Sequence, residues 1–214
     1  MKILAVSDIE SRYYYTWYHP DSLKEFDLII SCGDLSRACL EFLVTMANKP
    51  LLYVPGNHDD EFEKNPPEGC VCIDGRIHTF QGVRILGLGG SYRYKKEGKY
   101  MYTEDQMRRR IRRLCLPLRR GGFDILVTHA PARHINDFDS LSHRGFDCFR
   151  DLLDRYQPSC FIHGHIHMNY GVNIPQRTVY GNTVVYNAFE HCRIDYPCAP
   201  RPEGAGSVQG IIPG

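Results

Sequence analysis

The sequence lacks an excess of charge of either sign, because 26 Lys and Arg residues face 25 Asp and Glu residues. A near-neutral chain has no overall attraction to nucleic acid or to an anionic membrane surface. It also lacks any apolar run near the roughly 20 residues that span a bilayer. The apolar run at residues 3–6 is too short for the core of a signal peptide. These absences predict a cytoplasmic protein with no membrane partner.

The nine cysteines are an odd number and show no regular spacing. In a protein without an export signal we expect free thiols, mostly buried. Cys192 and Cys198, near the end of the chain, would pair only under oxidising conditions.

What remains is an ordinary globular composition, with 43% hydrophobic residues in a chain of 214. Such a length suffices for one domain with a buried core. No internal repeat or domain boundary is visible, so we assign residues 1–196 to a single domain. From residue 197 to 214 the chain is rich in Pro, Gly and Ala, and we expect a loosely held tail.

Apolar runs that end at Gly, Pro or polar residues divide the chain into strands and helices. We expect strands over residues 2–6, 26–31, 51–54, 71–80, 83–88, 123–128 and 159–162, and a hairpin over 178–188. We expect helices over residues 36–48, 103–118 and 146–156. Thr103 is the expected N-cap of the second helix, with Gln106 three residues later.

Two stretches are dense in one kind of side chain, and each has two interpretations. The aromatic run over residues 13–18 is either a loop packed onto the surface, which we favour, or a wall beside a ligand. The five arginines within residues 108–113 are either the solvated face of a packed helix, again favoured, or a patch that contacts phosphate or nucleic acid.

Five apolar runs end in side chains that can bind a metal ion. These are Asp8 with Glu10, Asp34, Asn57 with His58, His129, and His165 with His167. Strands of one sheet that run the same way bring their ends together, so the five ends point to a common site. Their oxygen and imidazole donors suit divalent first-row metals. The number of donors exceeds one tetrahedral site and suits two cations that share a bridging carboxylate.

In order and spacing these residues resemble the signature of the calcineurin-like metallophosphoesterases, over about residues 3–189. The matching pieces are Asp8-x-Glu10, Gly33-Asp34, Gly56-Asn57-His58-Asp59, His129 and Gly164-His165-x-His167. The resemblance implies an α/β fold, a four-layer sandwich of two mixed β-sheets flanked by helices. It also implies hydrolysis of phosphate esters at a dinuclear metal centre.

The resemblance further implies a role for each matching residue. The metal ligands would be Asp34 as the bridge, Asp8 and His167 on the first ion, and Asn57, His129 and His165 on the second. His58 would not be a ligand. It would stabilise the phosphoryl oxygens or protonate the leaving group, oriented by Asp59.

Glu10 departs from the family pattern, which commonly has Asp-x-His at the first strand. A carboxylate can still coordinate, and its hard oxygen favours manganese, magnesium or iron over zinc. We therefore expect Glu10 to be a ligand of the first ion. The two divalent ions are expected to be manganese, with iron, magnesium or zinc as alternatives. A solvent-facing Glu10 beside a looser first site is the other interpretation.

The expected substrate is a small phosphorylated molecule. Two cations about 3.5 to 4 Å apart activate a bridging water and clamp the phosphoryl oxygens. Asp8, Glu10, Asp34 and a bridging hydroxide would cancel the four positive charges of two ions, and a near-neutral centre favours phosphodiesters over dianionic monoesters. The alternatives are a binding scaffold of the same fold without turnover, and a nuclease that holds its polynucleotide with the arginine-rich helix.

Three further side chains near these motifs also have expected contacts. Arg12, two residues after Glu10, is expected to reach a phosphate oxygen, with a surface ion pair as the alternative. His143 is expected to line the pocket, with a loop hydrogen bond as the alternative. His163 continues its strand and is expected to be a packed, hydrogen-bonded histidine.

Overall fold

A computed structural model describes residues 1–169 and 174–197 of the chain. Its strands are β1 (Lys2–Val6), β2 (Leu28–Ser31), β3 (Leu51–Tyr53), β4 (Val71–Cys72), β5 (Arg76–Phe80), β6 (Val83–Leu88), β7 (Ser91–Tyr92), β8 (Met101–Tyr102), β9 (Ile125–Thr128), β10 (Cys160–His163), β11 (Arg177–Tyr180), β12 (Thr183–Asn187) and β13 (Cys192–Asp195). Its α-helices are α1 (Arg37–Ala47), α2 (Glu104–Arg113), α3 (Cys115–Gly121) and α4 (Asp147–Tyr156).

Two large sheets face each other across the central core. The first has the strand order β13-β1-β2-β3-β4, and the second β11-β12-β10-β9-β6-β5. Parallel pairing joins β1, β2, β3 and β4 in the first sheet and β6, β9, β10 and β12 in the second. Antiparallel strands at the edges make both sheets mixed.

The alternation of side chains along β1 shows how the layers form. Ile3 and Ala5 point into the core between the sheets, whereas Leu4 and Val6 pack outward under α1. All four are buried, because a strand with a sheet on one face and a helix on the other has no solvent-facing side. The second sheet is covered in the same way by α2, α3 and α4. The predicted four-layer α/β sandwich is confirmed.

The expected strand over residues 71–80 is wrong in one respect, because the run is divided between the two sheets. Val71–Cys72 pairs with β3, whereas Arg76–Phe80 pairs with β6. The chain crosses between them at Asp74, whose Oδ1 accepts from the Gly89 amide at 2.6 Å. Gly75 then turns with φ of 65°, a left-handed value that glycine adopts without strain.

The expected helix over residues 103–118 is two helices. It begins as predicted, with a capping box between Thr103 and Gln106, but it breaks at Leu114, and α3 starts at Cys115. Pro117 accounts for the break. Its ring lacks an amide proton and would clash with the carbonyl of Arg113 four residues earlier, so one continuous helix is excluded.

Strand β13 was not predicted from the sequence, although Cys192 and Ile194 alternate with exposed Arg193 and Asp195. Four residues beside Pro197 give too short a pattern to identify a strand.

The eight cysteines in the described part of the chain are free, as expected. Cys198 and the rest of the tail lie outside the described residues. No helix within residues 1–169 and 174–197 is long and apolar enough to cross a membrane.

The structure favours the packing interpretation for both dense stretches. Residues 12–16 form a short π-helical turn in which Tyr14 is buried, while Tyr15 packs edge-on against Phe42 of α1. In α2, Arg108 forms an ion pair with Asp151 at 2.6 Å. Arg110 pairs with Asp74 at 2.5 Å and is only 16% exposed.

Candidate metal centre

The predicted ligands converge at one edge of the sandwich, between the two sheets. Asp8, Asp34 and Asn57 follow β1, β2 and β3 of the first sheet, while His129 and His165 follow β9 and β10 of the second. The convergence inferred from the sequence is therefore present. It arises from two facing sheets rather than from the edge of one.

Four of these side chains form a compact cluster. One potential ligand atom from each of Asp8, Asp34, His129 and His165 lies within 4.8 Å of all the others. His129 Nε2 is 3.3 Å from Asp34 Oδ2 and 3.1 Å from His165 Nδ1. Asn57 joins the same nitrogen, with Oδ1 at 3.1 Å.

The second nitrogen of each imidazole is held by a backbone carbonyl. His129 Nδ1 donates to the Cys32 carbonyl at 2.7 Å, and His165 Nε2 donates to the Ser142 carbonyl at 2.6 Å. Each bond fixes the ring orientation and turns the other nitrogen toward the cluster. Metal-binding histidines are held in this way by their outer neighbours.

The backbone at three of the cluster residues has an uncommon conformation. Asp8, Asp34 and His165 have φ values of 69°, 57° and 66°, in the left-handed region that non-glycine residues rarely occupy. Strain of this kind concentrates at functional sites, where the surrounding structure holds it in place. The His165 amide, for example, donates to Asp8 Oδ2 at 2.9 Å.

Two glycines of the motifs make room for the carboxylates. A Cβ added to Gly56 would lie 2.6 Å from Asp34 Cγ, and one added to Gly164 would lie 2.8 Å from Asp8 Oδ2. No side chain fits at either place. The glycines of the Gly-Asn-His-Asp and Gly-His-x-His pieces are therefore needed for close approach to the acidic groups.

Burial and neighbouring charges shift the pKa values of the ionisable groups in the cluster. Burial opposes a charge on His129, but the Asp34 carboxylate outweighs it and raises the pKa of His129 to about 9. Burial also opposes ionisation of Asp34, yet His129 lowers the pKa of that carboxyl well below its usual range. For His165, burial and the neighbouring His129 lower the pKa to about 3, so its imidazole is neutral.

Other predicted site residues line an open cleft above the cluster. The cleft measures about 420 Å³ and is lined by Asp8, Asp34, Asn57, His58, Tyr94, Ser142, His143, His165 and His167. His167 Nε2 is 3.5 Å from Asp8 Oδ1. His143 lies with its ring 5.8 Å from that of His165 and also bonds the Ser140 hydroxyl. His58 is exposed, and its amide donates to Asp34 Oδ1 at 2.8 Å.

Asp59 has a different contact from the one expected. Its Oδ2 accepts from the amides of Gly56 and Asp34 at 2.7 and 2.9 Å, and it has no hydrogen bond to His58 among the contacts of the described chain. The carboxylate thus braces two strand ends instead of orienting an imidazole. Burial and the nearby Asp34 raise the pKa of Asp59 to about 6.

Glu10 and Arg12 lie outside the cluster, so Glu10 is not placed as the expected ligand, whereas contact of Arg12 with a phosphate oxygen stays a prediction. Glu10 is exposed and accepts from the Ser36 hydroxyl at 2.5 Å, at the N-cap of α1. Arg12 is exposed on the π-helical turn, with its guanidinium 5.9 Å from the Trp17 ring centre. The alternative of a solvent-facing Glu10 agrees with this placement.

His163 is packed as expected. It is fully buried, and its Nδ1 donates to the Gly164 carbonyl at 2.9 Å. Burial lowers its pKa to about 4.

Two cleft residues, Tyr94 and Ser142, were missed by sequence reasoning. Both lie in loops without periodicity, where no sequence signal indicates which side chains face a site.

The donor set fits divalent cations. Carboxylate, amide and imidazole groups face one another, and the imidazoles of His129 and His165 are already oriented by backbone carbonyls. Asp34, Asn57, His129 and His165 would hold a metal ion, with Asp8 and His167 as further ligands beside them. Glu10 lies outside the cluster and contributes no donor to it.

Comparison with known proteins agrees with this arrangement. The family profile of the calcineurin-like phosphoesterases matches residues 1–169. An uncharacterised protein of Methanocaldococcus jannaschii is 24% identical over 212 residues, which cover 87% of each chain. A Thermus thermophilus protein of known crystal structure aligns with a TM-score of 0.57 and 14% identity, over 88% of this chain and 89% of its own. The structure of an archaeal phosphodiesterase aligns more distantly, with a TM-score of 0.39 and 14% identity, over 89% of this chain and 84% of its own.

The Thermus thermophilus structure shows likeness of fold alone, since its sequence identity is low. The profile match, in contrast, covers most of the chain and contains every motif that supplies the cluster. The chain belongs to the calcineurin-like phosphoesterase family.

Proposed function

We propose that the protein is a hydrolase of phosphate esters that uses two divalent metal ions, manganese in preference to iron, magnesium or zinc. The observation that carries the proposal is the buried cluster of Asp8, Asp34, His129 and His165, with three of its members in left-handed backbone. Such strain and burial of charge destabilise a protein and are retained where a ligand or a reaction requires them.

The side chains of the protein would bind the metal ions, orient the substrate and supply a proton to the leaving group. When bound, divalent cations supply Lewis-acid activation of water and of the phosphoryl oxygens. Asp34 would be shared by the two ions, one held with Asn57, His129 and His165 and the other with Asp8 and His167, because its carboxylate lies within 4.8 Å of potential ligand atoms of both Asp8 and His129. His58 lies exposed on the cleft wall, and its amide donates to Asp34 Oδ1. Its imidazole would protonate the departing oxygen of the ester.

The class of ester depends on the charge at the centre. The sequence-based argument for phosphodiesters included Glu10, but its carboxylate is bonded to Ser36. Without Glu10 the loaded centre carries one more positive charge, which favours dianionic monoesters. The proposal therefore covers both classes, and a measured diester preference would indicate that Glu10 reaches the first ion after all.

The test is manganese-dependent hydrolysis of bis-p-nitrophenyl phosphate and p-nitrophenyl phosphate. We expect turnover by the wild type, loss of activity with His129→Ala, and a fall in kcat of about 10²-fold or more with His58→Ala. His19→Ala, on the exposed surface, serves as the control. If the protein binds manganese but hydrolyses neither ester with any of the four metals, a binding scaffold without turnover would be the better description.

A nuclease remains the less favoured alternative. Arg108 and Arg110 are already engaged by Asp151 and Asp74, so the arginine-rich helix offers fewer free cations than its sequence indicates. Polynucleotide binding that weakens steeply with salt would support the nuclease. A weak dependence on salt would favour the small phosphorylated substrate.

A further inference from the structure

Tyr94 lines the cleft beside Asp34, Asn57 and His58, although no motif includes it. It lies in the 93–100 loop, which joins β7 to β8. Its hydroxyl is 3.4 Å from Asn57 Nδ2. The tyrosine therefore touches a proposed metal ligand and the cavity above it at the same time.

The loop that carries Tyr94 is held at both ends. The Arg93 guanidinium donates to the Met101 carbonyl at 2.7 Å. The Lys99 amide donates to Asp60 Oδ1 at 2.9 Å, within the turn that follows His58. The position of Tyr94 is thus coupled to the segment that presents Asn57 and His58.

The side-chain amide of Asn57 has two nearly isosteric ends, and only its oxygen can bind a cation. Oδ1 faces His129 Nε2 at 3.1 Å, on the side of the cluster. Nδ2 faces the Tyr94 hydroxyl. Rotation of the amide by 180° would turn two N–H groups toward the cluster, so the partner of Nδ2 decides whether Asn57 is a ligand.

The Tyr94 hydroxyl accepts the Asn57 hydrogen bond with its oxygen and keeps its own proton. Among the described residues, the structure gives that proton no acceptor. The Lys95 ammonium lies 5.5 Å from the Tyr94 ring centre, so the wall also has a positive group nearby. An anionic oxygen in the cleft is the acceptor that such a donor and charge would suit.

We propose that Tyr94 is a positioning residue that keeps the Asn57 oxygen turned toward the metal, and that it donates its hydroxyl proton to a phosphoryl oxygen of the substrate. The proposal rests on the proposed phosphoesterase function. It adds a specific hydroxyl to the lining of the cleft, which also includes His143.

The first test is manganese affinity measured by calorimetry on metal-free protein, without substrate. Tyr94→Phe keeps the ring and removes the hydroxyl. We expect it to weaken manganese binding about tenfold or more, since loss of an outer partner of a metal ligand costs 10- to 100-fold. Tyr92→Phe, in the strand before the loop, is the matched control and should bind manganese like the wild type.

A double-mutant cycle separates orientation from general damage. Asn57→Asp places oxygen at both ends of the side chain, so its orientation no longer matters. In the Asn57→Asp background, Tyr94→Phe should therefore weaken manganese binding less than it does in the wild-type background. An equal loss in both backgrounds, or no loss in the wild-type background, would overturn the positioning role.

Orthophosphate binding at a manganese concentration that saturates both proteins tests the donor role, with Tyr94→Phe compared with the wild type. Loss of a hydrogen bond to a charged group, about 1.5 kcal/mol or more, corresponds to about tenfold weaker phosphate binding by Tyr94→Phe. Unchanged phosphate affinity would overturn this half of the proposal. If the wild type binds no manganese, the phosphoesterase function and the Tyr94 proposal both fail. If it binds manganese and hydrolyses esters while Tyr94→Phe behaves identically, only the Tyr94 proposal fails.

Discussion

At the scale of single residues, ionised Asp59 lowers the stability of the fold, although its carboxylate accepts two structural hydrogen bonds. Its carboxylate is buried and lies near Asp34, which raises its pKa to about 6, yet it joins the amides at the ends of two neighbouring strands. Each pKa unit corresponds to about 1.4 kcal/mol. Ionised Asp59 therefore costs the folded, metal-free protein about 3 kcal/mol at neutral pH.

The sign of this pH dependence follows from the raised pKa. The folded state keeps the Asp59 proton to a higher pH than the unfolded chain, so its contribution to stability falls as pH rises from about 4 to 6. Asp59→Asn keeps an acceptor oxygen and removes the charge. We expect the stability of this variant relative to wild type to rise by about 3 kcal/mol between pH 4 and pH 7.

Urea unfolding of chelator-treated protein at several pH values measures this difference. Asp195→Asn, at an exposed position of β13, is the control and should show no comparable gain. A gain from Asp59→Asn that is the same at every pH would mean that the Asp59 charge is not what costs stability.

Glu10 gives a second prediction at this scale. Because its carboxylate accepts from Ser36 and lies outside the cluster, Glu10→Ala should leave the number of bound manganese ions unchanged. The loss of stability should be about 1 kcal/mol or less. Asp8→Ala, in contrast, should reduce the metal content measured by elemental analysis. Loss of one ion with Glu10→Ala would show that Glu10 turns toward the first site.

At the scale of elements, the sequence predicted most strands because apolar runs and their polar ends are local features. It predicted the hairpin at Gly181 and the start of α2 at Thr103 for the same reason. It failed for residues 71–80, since period-two alternation looks the same whichever sheet a strand joins. The contacts of Glu10 and Asp59 were also out of reach, because Ser36 and the strand-end amides meet them only in the folded chain.

Capping of α2 offers a prediction that is independent of the metal centre. The Thr103 hydroxyl accepts from the Gln106 amide at 3.3 Å, and Gln106 Oε1 accepts from the Thr103 amide at 2.9 Å. Thr103→Ala should lower the free energy of unfolding by about 1 kcal/mol without changing manganese affinity. Thr45→Ala is the control, because the exposed Thr45 hydroxyl only bonds back to the Glu41 carbonyl within α1. Equal losses from the two variants would contradict the capping role.

At the scale of the whole molecule, the cluster joins the two sheets at their shared edge. Asp34 and Asn57 come from the first sheet, and His129 and His165 from the second. In the core between them the sheets meet through apolar side chains such as Ile30 and Ile162. A bound ion would thus add directional bonds to the few that already cross between the sheets, such as the one from His129 Nδ1 to the Cys32 carbonyl.

Metal binding should therefore stabilise the entire fold. At a manganese concentration 100 times the Kd, the folded state gains about 2.7 kcal/mol, which raises the Tm of a chain of this size by about 5 to 10 °C. The gain should vanish with excess chelator. It should also be lost in Asn57→Ala and His129→Ala, one ligand from each sheet, and be kept in His19→Ala. If Asn57→Ala and Asp34→Ala both retained the full gain while His129→Ala lost it, the ion would be held by the second sheet, and the link between the sheets would not exist.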